Sequence, residues 1–251
     1  DTQVSFTDVV PGTTYGFRLG AARADGAPTI EWTAPVQVRF YDLQLPVLRI
    51  DTQGAAPILD KENYVPATMT LDPNGSAFEA YSGTLGIRGR GNSTWLEPKK
   101  PYRLRLDTKS PLMGIAADRN WVLLANSIDH SQLRTYAASQ LAHATDLDWT
   151  PTYRHVEVVL NGQYDGVYQL SEHIRPSEDR VDIDELEPED NSGEALTGGY
   201  LMEVDQRLEE NDEPGFRTAV ADYPIVVKEP DPMTPEQRAY IQQHVQTFED
   251  R

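Results

Sequence analysis

Hydrophobic and polar positions alternate along much of this chain, and the alternation predicts strands. After the turn residues Pro11 and Gly12, Tyr15, Phe17 and Leu19 fall on one face and Gly16 and Arg18 on the other. A shorter strand is expected over 4–6. A second turn at Asp25-Gly26 precedes Val36, Val38 and Phe40, which alternate again. A new unit opens at 45–50, an apolar strand entered through Pro46. Strands follow over 64–71, 84–90 and 101–106, where Tyr102, Leu104 and Leu106 alternate with Arg103 and Arg105. The run Trp121-Val122-Leu123-Leu124 is apolar throughout, as a central strand would be. Segments 155–160 and 164–171 flank Asn161-Gly162, a strong hairpin signal.

Two stretches change period from two to 3.6. Asp129 can cap a helix whose Leu133, Tyr136, Ala137, Leu141 and Ala144 form one apolar stripe. Thr234-Pro235-Glu236-Gln237 carries a cap residue, proline at the first helical position and glutamine at the third, with Ile241, Val245 and Phe248 recurring behind it. The expected fold class is α+β, a mainly antiparallel sheet with helices, preceded by β-sandwich-like strands. Residues 1–41 form the first unit and 45–251 the second. The stretch Pro11-Gly12-Thr13-Thr14-Tyr15-Gly16-Phe17-Arg18 resembles the second half of a fibronectin type III sandwich. At this length it is either a partial module or a few strands annexed by the next domain.

Composition narrows the functional classes. The 251 residues hold 40 Asp and Glu against 22 Lys and Arg, a formal charge of −18. A field of that sign repels phosphate backbones and anionic lipid, so nucleic acid is not an expected partner. With no cysteine, disulfides, thiolate metal sites and a cysteine nucleophile are excluded. No apolar run approaches the ~20 residues that span a bilayer. The chain opens on Asp1 without a leader, so it reads as an internal piece whose signal peptide would lie elsewhere. Residues 178–213 carry 15 acidic side chains and two arginines, an acidic loop around the strand 199–204.

Against that background the basic cluster stands out. Arg88, Arg90, Lys99, Lys100, Arg103 and Arg105 fall within 18 residues, around Gly86, Gly89 and Gly91. Glycines between strands let backbone N–H groups approach an anion, and nearby cations neutralise phosphate oxygens. The same pattern also marks sharp β-turns and bulges. A nucleotide-phosphate site wants a lysine held by a carboxylate. Lys99 and Lys100 are the candidate donors, or else solvated strand-end cations; Glu172, Glu203 and Asp205 are the candidate carboxylates. The five histidines are scattered with no zinc-binding spacing. Asp182-Ile183-Asp184 lacks the glycine of a calcium loop, and no Gly-x-Ser-x-Gly occurs.

Gly89-Arg90-Gly91-Asn92-Ser93-Thr94-Trp95, followed by Lys99-Lys100-Pro101-Tyr102-Arg103-Leu104-Arg105-Leu106, resembles the signature of the CotH kinase family. The likeness continues in order through Trp121 to Asn126, Asp129 to Arg134, Val156 to Gly162, Gly166 to Ile174, Asp179 to Ile183, Gly198 to Asp205 and Val227 to Asp231, covering about 46–251. It implies an atypical protein-kinase-like fold, of which this chain carries the N-terminal part. It further implies transfer of phosphate from ATP, with Mg or Mn, to serine or threonine of protein partners. Family members occur in spore coats, on cell surfaces and among secreted proteins, so a secreted or surface location is expected.

By the same likeness, Arg88, Arg90, Asn92, Ser93, Lys99, Lys100, Glu172 and Lys228 would bind the cofactor, and Glu203 and Asp205 the metal. The strand 225–230 would hold adenine through its backbone. The family's Asn-x-Asp-like and Trp-Asp-Phe-Asp-like acidic segments do not occur in these residues, so the catalytic residues are expected beyond Arg251. The other readings are a surface adhesion or structural module that keeps the fold without the chemistry, and a carbohydrate-associated module using Trp95, Trp121 and Trp149.

Overall fold

A computed structural model describes residues 13–18, 20–21, 31–39, 42–208 and 214–251. Two short antiparallel ladders come first: β1 (Thr14–Phe17) pairs with β4 (Val36–Arg39), and β2 (Gly20–Ala21) with β3 (Glu31–Trp32). The strand expected over 4–6 and the turn at Asp25-Gly26 lie outside the described residues.

Seven strands then close into a barrel. They are β5 (Val47–Thr52), β6 (Val65–Asp72), β7 (Tyr81–Gly89), β8 (Tyr102–Leu112), β9 (Ile115–Leu124), β10 (Tyr153–Leu160) and β11 (Gln163–Glu172), in the order β10-β11-β9-β8-β7-β6-β5. Every ladder is antiparallel except the closing one, where β10 runs parallel to β5 with Glu157 opposite Val47 and Leu160 opposite Ile50. The alternation seen in sequence becomes inside and outside. Leu48, Ile50, Met69, Leu85, Ile87, Leu104, Leu106, Trp121, Leu123, Val156, Tyr168 and Leu170 fill one interior cluster. A leucine fully buried there contributes about 1.5–3 kcal/mol relative to exposure.

The hairpin turn also fastens the closure. Asn161 and Gly162 both have positive φ, 49° and 73°, as a type I′ turn requires. The Asn161 side-chain carbonyl accepts hydrogen bonds from the Thr52 backbone N–H (2.8 Å) and hydroxyl (3.0 Å) at the end of β5. One turn residue thus joins the last hairpin to the first strand.

The first helix departs from its prediction. Helix α1 (Arg134–His143) begins later than an Asp129 cap would place it, and its N-cap position is Leu133. Asp129 still accepts from the Arg134 N–H at 3.0 Å, reaching the first turn from five residues upstream. The apolar stripe does not face the core: Leu133 is 54% exposed and Leu141 70%, and only Ser139 is buried. The helix is anchored instead by polar contacts, such as Ser139 donating to the Pro151 carbonyl.

A smaller layer completes the described chain. Strands β12 (Leu201–Val204), β13 (Gly215–Arg217) and β14 (Pro224–Glu229) form a sheet in the order β12-β14-β13. Helix α2 (Pro235–Glu249) covers it, burying Ile241 against Phe216, Ile225 and Val227. Its N-terminus is the predicted capping box: the Gln237 N–H donates to the Thr234 hydroxyl, and the Thr234 N–H to the Gln237 side chain. Phe248 is 79% exposed, so the expected stripe ends at Val245, which packs on the cluster.

Candidate anion-binding cleft

Strand pairing assembles the cleft. The inward residues of β7 and β8 fill the barrel, so the outward ones are aligned by register: Arg88 stands directly opposite Arg103, and Arg105 opposite Gly86 and Asn120. Like charges facing each other across a ladder are destabilising, and this wall sets two guanidinium groups face to face. Arg90, just past β7, and His173 and Arg175, just past β11, join them. Opposite stand residues of β12 and β14, among them Glu203, Lys228 and Glu229. The space between has a volume of about 880 Å³.

The guanidinium groups are under-partnered. The Nε–H groups of Arg88 and Arg103 are buried without a hydrogen-bond acceptor among the described residues. Arg88 lies over the Tyr64 ring at 5.1 Å. That ring crosses the wall at Gly86, where a Cβ would come within 3.0 Å of Tyr64 carbons. Burial lowers the pKa values of Arg90 and Arg103, and the neighbouring arginines lower them further; arginine remains a cation over any physiological range. Burial first, then Arg103, Arg90, Arg180 and Arg175, pushes His173 down to about 3, so its imidazole is neutral.

A buried ion pair supports the wall from behind. Arg180 lies 3.5 Å from the Asp118 carboxylate, with their side chains 2% and 9% exposed. Arg180 also donates to the backbone carbonyls of Asn120 (2.9 Å) and His173. It therefore ties the segment after β11 to β9, which sets His173 and Arg175 at the cleft.

A model of the CotH kinase protein family matches residues 87–251, well over half of the chain. The chain belongs to the CotH kinase family. No curated protein matches it. The CotH match opens at Ile87 and includes all the arginines of the cleft, whereas β5, β6 and Tyr64 precede it. Barrel closure therefore depends on two strands outside the matched segment.

Four of the sequence-predicted site residues meet in the cleft of this CotH chain: Arg88, Arg90, Glu203 and Lys228. Glu203 and Lys228 pair with each other at 3.6 Å. Lys99 and Lys100 do not line it. The Lys99 ammonium donates to the carbonyls of Ala125 (2.9 Å) and Val167 and lies 4.3 Å from the Tyr168 ring centre. The Lys100 ammonium donates to the Trp95 carbonyl at 2.7 Å. Glu172 accepts from the Thr152 N–H at 2.6 Å, and burial raises its pKa. Asn92 and Ser93 lie at an exposed 3₁₀ turn (Ser93–Trp95) outside the cleft. Asp205 lies just past β12, accepts from the Arg207 N–H at 2.9 Å, and is 4.0 Å from the Arg207 guanidinium.

The glycines differ from the expected anion cradle. Gly86 and Gly89 lie within β7, and the Gly89 N–H donates to the Asp60 carbonyl at 2.8 Å. A Cβ on Gly89 would fall 2.5 Å from Trp95 ring carbons. These glycines make room for Tyr64 and Trp95 rather than presenting N–H groups. Sequence reasoning counted Arg103 and Arg105 in the basic cluster but left them out of the cofactor-binding residues, and it missed Arg175 and the supporting Arg180. The alternation in 101–106 already placed Arg103 and Arg105 on one face, a signal that would have promoted them from the cluster to the site.

The residues present fit phosphate groups: two buried guanidinium N–H donors lack acceptors, and three further arginines surround them. A divalent metal is less well served, since no group of three or more His, Cys, Asp or Glu stands together among the described residues. Trp121 is buried, and its indole N–H donates to the Asp118 carbonyl at 3.0 Å. Trp95 packs on the core, so neither ring serves as a sugar platform. No described helix is long and apolar enough to cross a membrane.

Proposed function

We propose that the cleft of Arg88, Arg90, Arg103, Arg105 and Arg175 holds the phosphate chain of ATP. In this reading the chain is the nucleotide-binding part of an atypical protein-kinase-like fold that phosphorylates serine or threonine of protein partners outside the cell or on its surface. The observation that carries it is the cross-strand pair Arg88–Arg103 with buried, acceptor-free Nε–H groups. A polyphosphate supplies acceptors for such groups and offsets the repulsion between them, and guanidinium forks match phosphate oxygens bidentately. The guanidinium groups bind and orient the phosphates. Lys228, held by Glu203, lies on the opposite wall with β14, whose backbone would meet the base. When bound, Mg or Mn would neutralise phosphate charge.

Calorimetric titration of the chain with ATP, ADP and AMP tests this. Affinity rising with the number of phosphates is expected, with Arg103→Ala abolishing that order. Equal affinities, or none, would overturn the reading. Transfer of radiolabelled phosphate from ATP, with Mg or Mn, to a serine-bearing protein partner tests the kinase assignment itself.

A second reading, a non-catalytic surface module of the same fold, draws on the exposed apolar side chains Ile128, Leu133 and Leu141 along the α1 approach. It predicts no nucleotide binding, so the same titration separates the two.

A further inference from the structure

Arg103 is held by a chain of side chains that no sequence motif announces. Its Nη2 donates to the Asn120 side-chain carbonyl at 3.3 Å. The Asn120 amide nitrogen donates to Asp118 Oδ1 at 3.3 Å, and the Asn120 backbone N–H to the same oxygen at 2.6 Å. An amide has one donor end and one acceptor end. Asp118 is a carboxylate, so it takes the donor end, and Arg103 as a pure donor takes the acceptor end. The reverse orientation would set oxygen against oxygen and nitrogen against nitrogen. Asn120 therefore has one satisfied orientation, which engages one Arg103 nitrogen and leaves the buried Nε–H without an acceptor.

We propose that Asp118 is the positioning residue of the cleft: through Asn120 it fixes the rotation of the Arg103 guanidinium, and so orders the anion site before any ligand arrives. The proposal rests on the anion-cleft reading for its consequence, but not for the ordering of Arg103. Arg180 completes the device. Its pairing with Asp118 keeps that carboxylate in place behind the wall. Arg103 meets Arg88 across the ladder, and a freely turning guanidinium there would swing away from its like-charged neighbour. Preorganisation removes that freedom in advance, and fixed donors bind more tightly than mobile ones.

Two variants of the whole chain test this. Asp118→Asn lets the Asn120 amide flip, but it also breaks the buried pair with Arg180 and so confounds the readout with folding. Asn120→Ala removes only the link, leaving Asp118 with Arg180 and the backbone N–H. The first readout is the Arg103 Nε–H resonance, assigned by its loss in Arg103→Lys. A single sharp signal is expected in the unaltered chain, and an averaged or exchange-lost one in Asn120→Ala, with the melting temperature held within a few degrees. The second readout is titration with inorganic pyrophosphate, where Asn120→Ala should weaken binding about ten-fold.

A merely structural role for Asn120 would move the melting temperature and leave the resonance sharp. A folded Asn120→Ala with a sharp Arg103 signal and unaltered pyrophosphate affinity would overturn the proposal. If the unaltered chain binds pyrophosphate but not ATP, the nucleotide reading falls and the positioning role stands. If it binds neither, the anion reading falls, and the resonance alone decides whether Asp118 orders Arg103.

Discussion

Two sets of cations, one lining the cleft and one outside its lining, live by opposite rules. Lys99, Lys100 and Arg180 spend their charge inside the protein, on the carbonyls of Ala125 and Val167, of Trp95, and of Asn120 and His173 together with the Asp118 carboxylate. Arg88, Arg90 and Arg103 stand against one another, with buried Nε–H groups on two of them left without acceptors. In sequence the two sets look alike, since both are simply basic residues, most of them within 88–103. What separates them is the acceptor each finds. A cation that spends its donors on the protein's own acceptors fastens the fold, while a cation left with buried, unmatched donors is available to a ligand.

Substitution should split the sets along that line. The largest loss is expected for Arg180→Ala, which leaves Asp118 buried and uncompensated; breaking such a pair costs about 3–5 kcal/mol. Denaturant titration would show it, and an unaltered midpoint would remove Arg180 from the first set. Next comes Lys99→Ala, which removes the ammonium from the Val167 carbonyl and leaves the Ala125 carbonyl only the Gln132 side-chain amide at 3.4 Å, and should cost about 1–3 kcal/mol. A control, Lys99→Met, keeps the apolar stem and loses only the ammonium. Neither change should alter pyrophosphate affinity in chain that remains folded. If Lys99→Met abolished binding, the line between the sets would be drawn in the wrong place.

Arg103→Ala belongs on the other side of the line. It removes a repulsive neighbour of Arg88, so stability should stay within about 0.5 kcal/mol of the unaltered chain. Pyrophosphate affinity should fall about ten- to hundred-fold, the worth of charge-assisted hydrogen bonds to one guanidinium. A large stability loss with unaltered affinity would reassign Arg103 to the structural set.

The same contrast explains what the sequence could disclose. Features written in adjacent residues were legible: the Asn161-Gly162 turn, the Thr234–Gln237 capping box, and the alternation that became barrel interior and wall. Features made by distant partners were not. Barrel closure joins β5 to β10 across roughly a hundred residues, and no local pattern announces a parallel neighbour. Asp118 meets Arg180 in the same way, through a loop that folds back on β9. Helix α1 shows the converse failure: its stripe has helical spacing, but periodicity cannot say whether anything lies against it, and Leu133 and Leu141 face outward. Arg88 and Arg90 meet Glu203 and Lys228 in the cleft although the two pairs belong to different sheets, whereas Lys99 and Lys100 turn to carbonyls that the sequence could not identify.

The finest test of the comparison is His173, which reports on the arginines around it without contributing a charge. Burial, then Arg103, Arg90, Arg180 and Arg175, depresses its pKa from 6.5 to about 3. In the unfolded chain that imidazole takes up a proton near its ordinary pKa, while in the folded chain it stays neutral. The unfolded state therefore binds the extra proton between those values, and stability falls as pH is lowered from about 6.5 toward 3. The contribution is fully present above 6.5. Denaturant midpoints at pH 7.5, 6.5 and 5.5, in buffers free of phosphate and other polyvalent anions, should decline for the unaltered chain and decline less for His173→Gln; other groups titrate alike in both. Adding Arg103→Ala to the unaltered chain should shallow the decline as well, by less, because burial leads among the causes and the arginines follow. Parallel declines in all three proteins would mean that His173 does not sense the cleft, and that the guanidinium groups there find countercharge enough to behave like the first set.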